Sequence, residues 1–169
     1  ADAPVPEMRA REAAPGCWYV EGLSALGSPA NQNFISNAGF VVTSGGVVVV
    51  DALGSPALAK RLLAEIAKAT PQKLTHVVVT HYHADHIYGL QVFQDAGARI
   101  IAHQAGREYL NSDTARLRLQ ASRAELAPWI DAQTLLVPAT EWIDARRELT
   151  VGDTRLVLQP VGPAHTPED

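Results

Sequence analysis

The chain has 169 residues, a formal net charge of −4 at pH 7 and a single cysteine, Cys17. This length allows one domain with a substantial core, and 47% hydrophobic with 19% charged residues is ordinary for a globular protein. The acidic balance offers no basic surface for nucleic acid, and no apolar run is long enough to span a membrane. One cysteine excludes an internal disulfide, and we interpret Cys17 as a small apolar strand residue, with a reactive or intermolecular role as the alternative.

The first fifteen residues are rich in alanine, proline and charge and show no periodicity, so we expect a flexible tail over 1–15 and a domain over 16–169. The chain starts at Ala1 with neither methionine nor an apolar leader segment. This start favours a mature exported protein or a trimmed chain. We therefore expect a periplasmic or secreted protein, with a cytoplasmic one as the alternative.

Three β-prone runs follow the tail. Residues 17–20 predict a first strand, and the runs 34–43 and 47–50 meet across a Gly-Gly turn, which predicts a hairpin. The four consecutive valines at 47–50 predict a strand buried on both faces. Asp51 ends this run, and its position alone fits an ordinary turn aspartate.

A helix and a further strand come next. Ser55 followed by Pro56 is a typical helix start, and apolar residues then recur at helical spacing as far as Ala69. The run 74–79 predicts a strand, and we interpret His76 near its beginning as structural.

A dense group of metal-binding residue types follows that strand: His81, His83, Asp85 and His86. In an extended segment, side chains two positions apart point to the same side, which pairs His81 with His83. Asp85 and His86 open a helix predicted over 85–95. Imidazole and carboxylate suit zinc, and also iron or manganese, whereas a polar loop with chance histidines is the weaker alternative.

The second half of the chain predicts a strand at 98–103 and helices between 104 and 129, broken near 111–113. We interpret His103 as structural or surface-exposed. Leu117, Leu119, Leu126 and Trp129 are expected to pack in the core, with a pocket wall or partner surface as the alternative. Residues 137–144 are expected to be mostly connection, and 148–158 form a predicted hairpin that leads into a loop containing His165.

Two segments together resemble the metallo-β-lactamase superfamily: the H-x-H-x-D-H motif after a valine-rich strand, and the later Gly162-Pro163-Ala164-His165-Thr166-Pro167 segment. The resemblance runs from about Gly16 to the last residue. It implies an α/β fold, the αββα sandwich, of which this chain would carry the N-terminal half to two thirds. The implied ligands of a first metal are His81, His83 and His165, and those of a second are Asp85 and His86. The resemblance also implies that Asp51 lies beneath the metals and orients a ligand histidine.

The resemblance further implies a zinc hydrolase with one or two ions and a small-molecule substrate. A metal-bound hydroxide, oriented by Asp85, would attack an ester, lactone, thioester or β-lactam carbonyl. The motif wording is also similar to exported zinc hydrolase-like proteins near sulfur-oxidation and quinoprotein systems. The alternatives are an iron-dependent oxidoreductase that acts on persulfides and a catalytically inactive metal-binding fragment.

The sequence ends four residues after His165, before the superfamily's bridging Asp or Cys and its last His. A sandwich cut short there would expose apolar faces. We therefore expect a chain shortened by truncation or proteolysis, a disordered remainder, or a homo-oligomer that covers the exposed half of the sandwich.

Overall fold

The structure is a computed structural model in which residues 8–23, 26–80 and 84–159 are described, Ala84 and Asp85 by their backbone only. The main sheet has seven strands: β1 Arg11–Ala14, β2 Cys17–Val20, β3 Ala38–Thr43, β4 Gly46–Val50, β5 Leu74–Val79, β6 Arg99–His103 and β7 Glu141–Ile143. A separate hairpin pairs β8 Arg147–Val151 with β9 Thr154–Leu158. The helices are α1 Pro56–Ala69, α2 Ala84–Ile87, α3 Leu90–Asp95, α4 Ala105–Leu110 and α5 Asp113–Glu125. None of the described helices is both long enough and apolar enough to span a bilayer.

The seven strands lie side by side in sequence order. Pairing is antiparallel from β1 to β4 and parallel from β4 to β7. The carboxyl ends of the four parallel strands therefore meet at one edge of the sheet. Ligand sites in open parallel sheets lie beyond this edge, where the connections leave the strands.

Both faces of the central strand β4 are buried, as the run of valines predicts. Val47 and Val49 belong to the large core cluster that also holds Leu58 and Leu62 of α1. Val48 points the other way and shares a second cluster with Ile101, Leu149 and Val151. Helices thus cover one face of the main sheet and the β8–β9 hairpin covers part of the other, which gives a helix layer followed by two facing sheets.

Two tight turns fasten the small hairpin to the main sheet. The backbone N–H of Ser44 donates to Oδ1 of Asp153 at 3.2 Å, and the N–H of Asp153 donates to the Ser44 hydroxyl oxygen at 2.8 Å. These hydrogen bonds hold the pKa of Asp153 below its usual range. A Cβ on Gly152, which has φ +57°, would lie 2.2 Å from the amide nitrogen of Gly45, so the turns touch through backbone.

Several predicted elements are confirmed. The strand at 17–20, the hairpin of β3 and β4, and β5 and β6 form close to their predicted positions. Helix α1 starts as predicted, because the Ser55 hydroxyl accepts a hydrogen bond from the N–H of Leu58 and Pro56 occupies the first turn. Ser112 caps α5 in the same way, at the predicted break.

Residues 8–15 of the expected tail are docked on the rest of the domain. Met8 is buried, and β1 pairs with β2 in an antiparallel hairpin. The Ala10 N–H also donates to the carboxylate of Glu65 on α1. This segment has no apolar periodicity of its own and is ordered by contacts with distant residues, which local sequence patterns do not reveal.

Three further predictions need correction. The helix expected over 85–95 is two short helices separated by Tyr88 and Gly89, and the connection expected over 137–144 contains β7. Of the four residues assigned to core packing, Leu119 and Leu126 are buried and Trp129 is half-buried, but Leu117 is exposed on α5.

We expect acid to destabilise the fold partly through His76. Burial lowers its pKa below the ordinary value of 6.5, and nearby Arg99 and Arg147 lower it further, against a smaller opposing effect of Glu141. The unfolded chain therefore binds the proton more readily, and the stability gained from a neutral His76 is lost as pH falls below about 6.5. Between about pH 7.5 and about pH 5.5, one unit on either side of the ordinary pKa, the free energy of unfolding should fall less in the His76→Gln variant than in the unchanged protein. Urea denaturation at the two pH values measures this difference. An equal loss in both proteins would contradict this role.

Candidate metal centre

The candidate site lies at the carboxyl edge of the parallel strands. Asp51 directly follows β4, and Thr80 directly follows β5, whose next residues begin the histidine-rich motif. The two strands are in register, with Val50 beside Val78. This pairing brings Asp51 and Thr80 together although they lie 29 positions apart in the chain.

Asp51 is a buried carboxylate bound on several sides. Its Oδ1 accepts hydrogen bonds from the backbone N–H and the hydroxyl of Thr80, both at 2.9 Å, and its Oδ2 lies 2.8 Å from the same hydroxyl. Its side chain is 9% exposed, and its backbone adopts φ +68°, a left-handed conformation that aspartate tolerates better than most residues. A buried, hydrogen-bonded carboxylate in this conformation has a fixed orientation.

The second oxygen of this carboxylate faces the motif. Oδ2 of Asp51 lies 3.1 Å from Nδ1 of His86, whose side chain is 14% exposed. A carboxylate beside Nδ1 favours the tautomer in which Nδ1 carries the proton and the ring coordinates a metal through Nε2. Asp51 therefore contacts both ends of the motif, Thr80 before it and His86 within it.

The loop between β4 and α1, residues 51–55, is called the Asp51 loop, and its backbone lies between β5 and α2. The N–H of Asp51 donates to the carbonyl of Val78 at 2.8 Å, and the N–H of Ala52 donates to the carbonyl of His86 at 3.1 Å. Gly89 packs so tightly on this loop that a Cβ there would lie 2.0 Å from the carbonyl oxygen of Ala52. The loop and the helix that carries His86 are therefore held together by main chain as well as by side chain.

A second loop, which contains Gln32 and Asn33, is hydrogen-bonded to the Asp51 loop. The side-chain amide of Asn33 donates to the carbonyl of Gly54 at 2.8 Å, and the Ser55 hydroxyl donates to the carbonyl of Gln32 at 3.3 Å. Gln32 and Asn33 are buried and, like Leu53, have positive φ angles. Strained backbone on both sides of the Asp51 loop is typical of functional sites.

The structure brings together two of the predicted site residues, Asp51 and His86. The remaining predicted ligands lie outside the description: His81, His83 and His165 entirely, and Asp85 for its side chain. Within the described part of the chain, no three His, Cys, Asp or Glu residues form a group that could hold a metal ion. The ligand sets inferred from the sequence thus stay predictions.

The other two histidines stand apart from Asp51. His76 lies in β5 beside Arg99 of β6, and its Nδ1 is 2.9 Å from the Thr75 hydroxyl. His103 ends β6, and its Nδ1 accepts a hydrogen bond from the N–H of Ala105. Both contacts are with residues close in sequence, and neither involves Asp51 or His86.

Two residues of the site have roles that the sequence does not reveal by itself. Thr80 donates twice to Asp51, and Gly89 makes room for the carbonyl of Ala52. A threonine before the motif and a glycine four residues after Asp85 are visible in the sequence, but only the register of β4 with β5 shows what they contact.

Comparison with known proteins places this geometry in a family. A family model described as the metallo-beta-lactamase superfamily matches residues 32–169. A metallo-beta-lactamase type 2 of Bacillus cereus is 32% identical over 74 residues, which are 44% of this chain and 29% of the relative. The chain therefore spans less than a third of that relative's length in the matched region.

Solved structures share the fold at low sequence identity. The subclass B3 metallo-beta-lactamase BJP-1 of Bradyrhizobium japonicum superposes with a TM-score of 0.64 and 19% identity, covering 99% of this chain and 56% of the other. The stereoselective inverting sec-alkylsulfatase Pisa1 of Pseudomonas sp. superposes with a TM-score of 0.68 and 18% identity, covering 96% of this chain and 28% of the other. These likenesses confirm the predicted fold class, and the family match leads to one conclusion: the chain belongs to the metallo-beta-lactamase superfamily.

Proposed function

We propose that this chain carries the metal-binding part of a zinc-dependent hydrolase. His81, His83 and His165 would hold one zinc ion, and Asp85 and His86 would contribute to a second. The contact that supports the proposal is the one between Asp51 and His86, 3.1 Å apart at the carboxyl edge of the sheet. A buried carboxylate that orients an imidazole is the usual support of a metal-ligating histidine.

The described residues suit zinc by their chemistry. Imidazole and carboxylate are zinc ligands, and the Asp51 carboxylate, 3.1 Å from Nδ1 of His86, would favour the histidine tautomer that leaves Nε2 to coordinate. Asp51 itself accepts two hydrogen bonds from Thr80, and these hold its carboxylate in one orientation. We therefore assign Asp51 an orienting role, while direct coordination falls to the motif.

Zinc bound at such a site supplies a positive charge and lowers the pKa of a coordinated water to about 7. The protein's own contribution is positional. Asp51 would set the direction of the His86 ring, and the hydrogen bond from the Ala52 N–H to the His86 carbonyl holds the C-terminal part of α2 against the Asp51 loop. Asp85, the residue before His86, would then orient the attacking group toward the substrate carbonyl.

The relatives define the substrate classes to consider. Metallo-beta-lactamases and an alkylsulfatase are among the proteins that this chain resembles. With the substrates that the sequence resemblance implies, the candidate reactions are hydrolysis of a β-lactam, a lactone, a thioester or another ester. We propose a small-molecule substrate and, from the likeness of the motif to exported zinc hydrolase-like proteins, an exported location. Both rest on the sequence interpretation rather than on a described contact.

Zinc binding provides the direct test. The chain should bind at least one equivalent of zinc. Loss of a residue that only orients a ligand typically weakens metal binding by about 10- to 100-fold. His83→Ala removes a predicted ligand itself and should therefore weaken zinc binding by more than this. The measurement is competition against a chromophoric chelator. His76→Gln, which alters a histidine away from the Asp51 loop, should leave the affinity unchanged. Stoichiometric zinc retained in His83→Ala would overturn the ligand assignment.

Metal analysis separates the hydrolase from the oxidoreductase alternative. Protein purified without added metal should contain zinc. Stoichiometric iron together with oxygen consumption would instead support the iron-dependent persulfide chemistry and contradict the hydrolase proposal.

A further inference from the structure

A cleft opens at the carboxyl ends of β6 and β7, beside the candidate metal centre. Its volume is about 610 Å³, and its walls are formed by α4 and the ends of the two strands. The lining residues are His103, Gln104, Ala105, Arg107, Glu108, Asn111 and Trp142. The cleft is more polar than most small-molecule sites, which are lined mainly by apolar side chains, and it combines one aromatic residue with charged and hydrogen-bonding groups.

The hydrogen bond at His103 defines what its ring offers. Nδ1 of His103 lies 3.1 Å from the backbone nitrogen of Ala105, which can only donate. Nδ1 is therefore the acceptor, and the neutral ring carries its proton on Nε2. His103 presents an N–H donor on its other side, and no described residue accepts from it.

Arg107 supplies the charge in the same cleft. Its side chain is exposed, and no carboxylate among the described residues pairs with it. A planar guanidinium binds carboxylates through two parallel hydrogen bonds. The neighbouring carboxylate of Glu108 also lines the cleft and limits its net positive charge, so a bare inorganic anion gains little there.

Trp142 adds an apolar surface. It lies in β7, is half-buried and packs against the main core with the remainder of its ring near the cleft. A flat ligand body can lie against an indole while its acid group reaches the N–H donors.

The cleft is one strand away from Thr80, which contacts Asp51. The register of β5 with β6 pairs Val79 with Ala102, so Thr80 and His103 are the next residues on neighbouring strands. Neighbouring strands lie about 4.8 Å apart. Since Thr80 donates to Asp51, the cleft and the Asp51 carboxylate lie beside neighbouring strands at the same edge of the sheet.

We infer that this cleft binds the carboxylate of a small organic acid with a flat or aromatic body, through Arg107 and His103, with Trp142 as the wall. Its use as a substrate subsite rests on the proposed hydrolase function. The binding itself does not, because none of the three residues belongs to the predicted ligand sets.

Benzoate, benzamide and inorganic sulfate are the probes that test this inference. In proton–nitrogen correlation spectra of the full chain, benzoate should shift the Trp142 indole signal in a saturable way. Benzamide, which lacks the charge, should bind at least about 10-fold more weakly, the equivalent of one charge-assisted hydrogen bond. Sulfate should also bind more weakly than benzoate, because it has no body to lie against Trp142. Equal binding of benzoate and benzamide, or of benzoate and sulfate, would overturn the inference.

Variants locate the binding. Arg107→Gln should remove the preference for benzoate over benzamide, and Arg116→Gln, an exposed arginine that pairs with Asp113 on α5, should keep it. His103→Asn retains an acceptor for the Ala105 N–H but lacks the Nε2 donor. It should therefore lower the affinity for benzoate and leave the fold intact. The shifts should be the same with and without added zinc. Shifts that require zinc, or that persist in Arg107→Gln, would contradict the cleft, whereas a failure to bind zinc would contradict only the proposed hydrolase.

Discussion

Replacing Gly89 by alanine is expected to lower the free energy of unfolding by about 3 kcal/mol, at the upper end of what overpacking costs in a dense core. The backbone angles of Gly89 are ordinary, with φ −90°, so conformational strain is not the reason. The new Cβ would lie 2.0 Å from the Ala52 carbonyl oxygen and 2.8 Å from Cβ of Ala59. Backbone cannot rotate away as a flexible side chain can, so either the Asp51 loop or the start of α3 must move.

Urea denaturation of Gly89→Ala and of Gly97→Ala measures this cost against a matched control. Gly97 has φ +93° but open space around its Cα, so alanine there should cost only the about 1 to 2 kcal/mol of a left-handed residue. Gly89→Ala should therefore be the more destabilising change, although its conformation is the less unusual. If Gly97→Ala costs as much or more, the close packing of Gly89 on Ala52 is not what determines stability there.

Local sequence signals predict the parts of this fold that depend on neighbouring residues. The Ser55–Pro56 start of α1, the turn between β3 and β4 and the valines of β4 each act through residues close in sequence. The break at Gly89 is different, since a helix-compatible run is interrupted by contact with Ala52, far away in the chain. Similarly, β7 is three residues long and exists because it extends the sheet beside β6.

The candidate site divides in the same way. The spacing of the motif is a sequence feature that is enough to predict His86 as a ligand. Asp51 is predicted only through the family resemblance, because its position after a strand also fits an ordinary turn aspartate. The register of β4 with β5 decides what the Asp51 carboxylate contacts. Its Oδ1 accepts from the Thr80 N–H, and its Oδ2 faces Nδ1 of His86. The cleft at His103 also needs β7, an element for which the sequence gives little indication.

Changing Asp51 to asparagine is expected to lower the binding affinity for one zinc equivalent by about 10- to 100-fold while leaving the fold largely intact. Asparagine has the same shape and tolerates the left-handed backbone at φ +68°. The Thr80 N–H can only donate, so the amide oxygen of the new side chain must occupy the Oδ1 position. The amide NH₂ then takes the Oδ2 position, 3.1 Å from Nδ1 of His86.

A donor at that position inverts the tautomer of His86. Nδ1 must become the acceptor, the proton moves to Nε2, and Nε2 can no longer coordinate a metal. Competition titration with zinc should show the loss in Asp51→Asn and, more completely, in His86→Ala, which defines the equivalent concerned. Asp95→Asn makes the same charge change at an exposed residue and should have no effect. Unchanged zinc affinity in Asp51→Asn would refute the orienting role, and unchanged affinity in His86→Ala would refute His86 as a ligand.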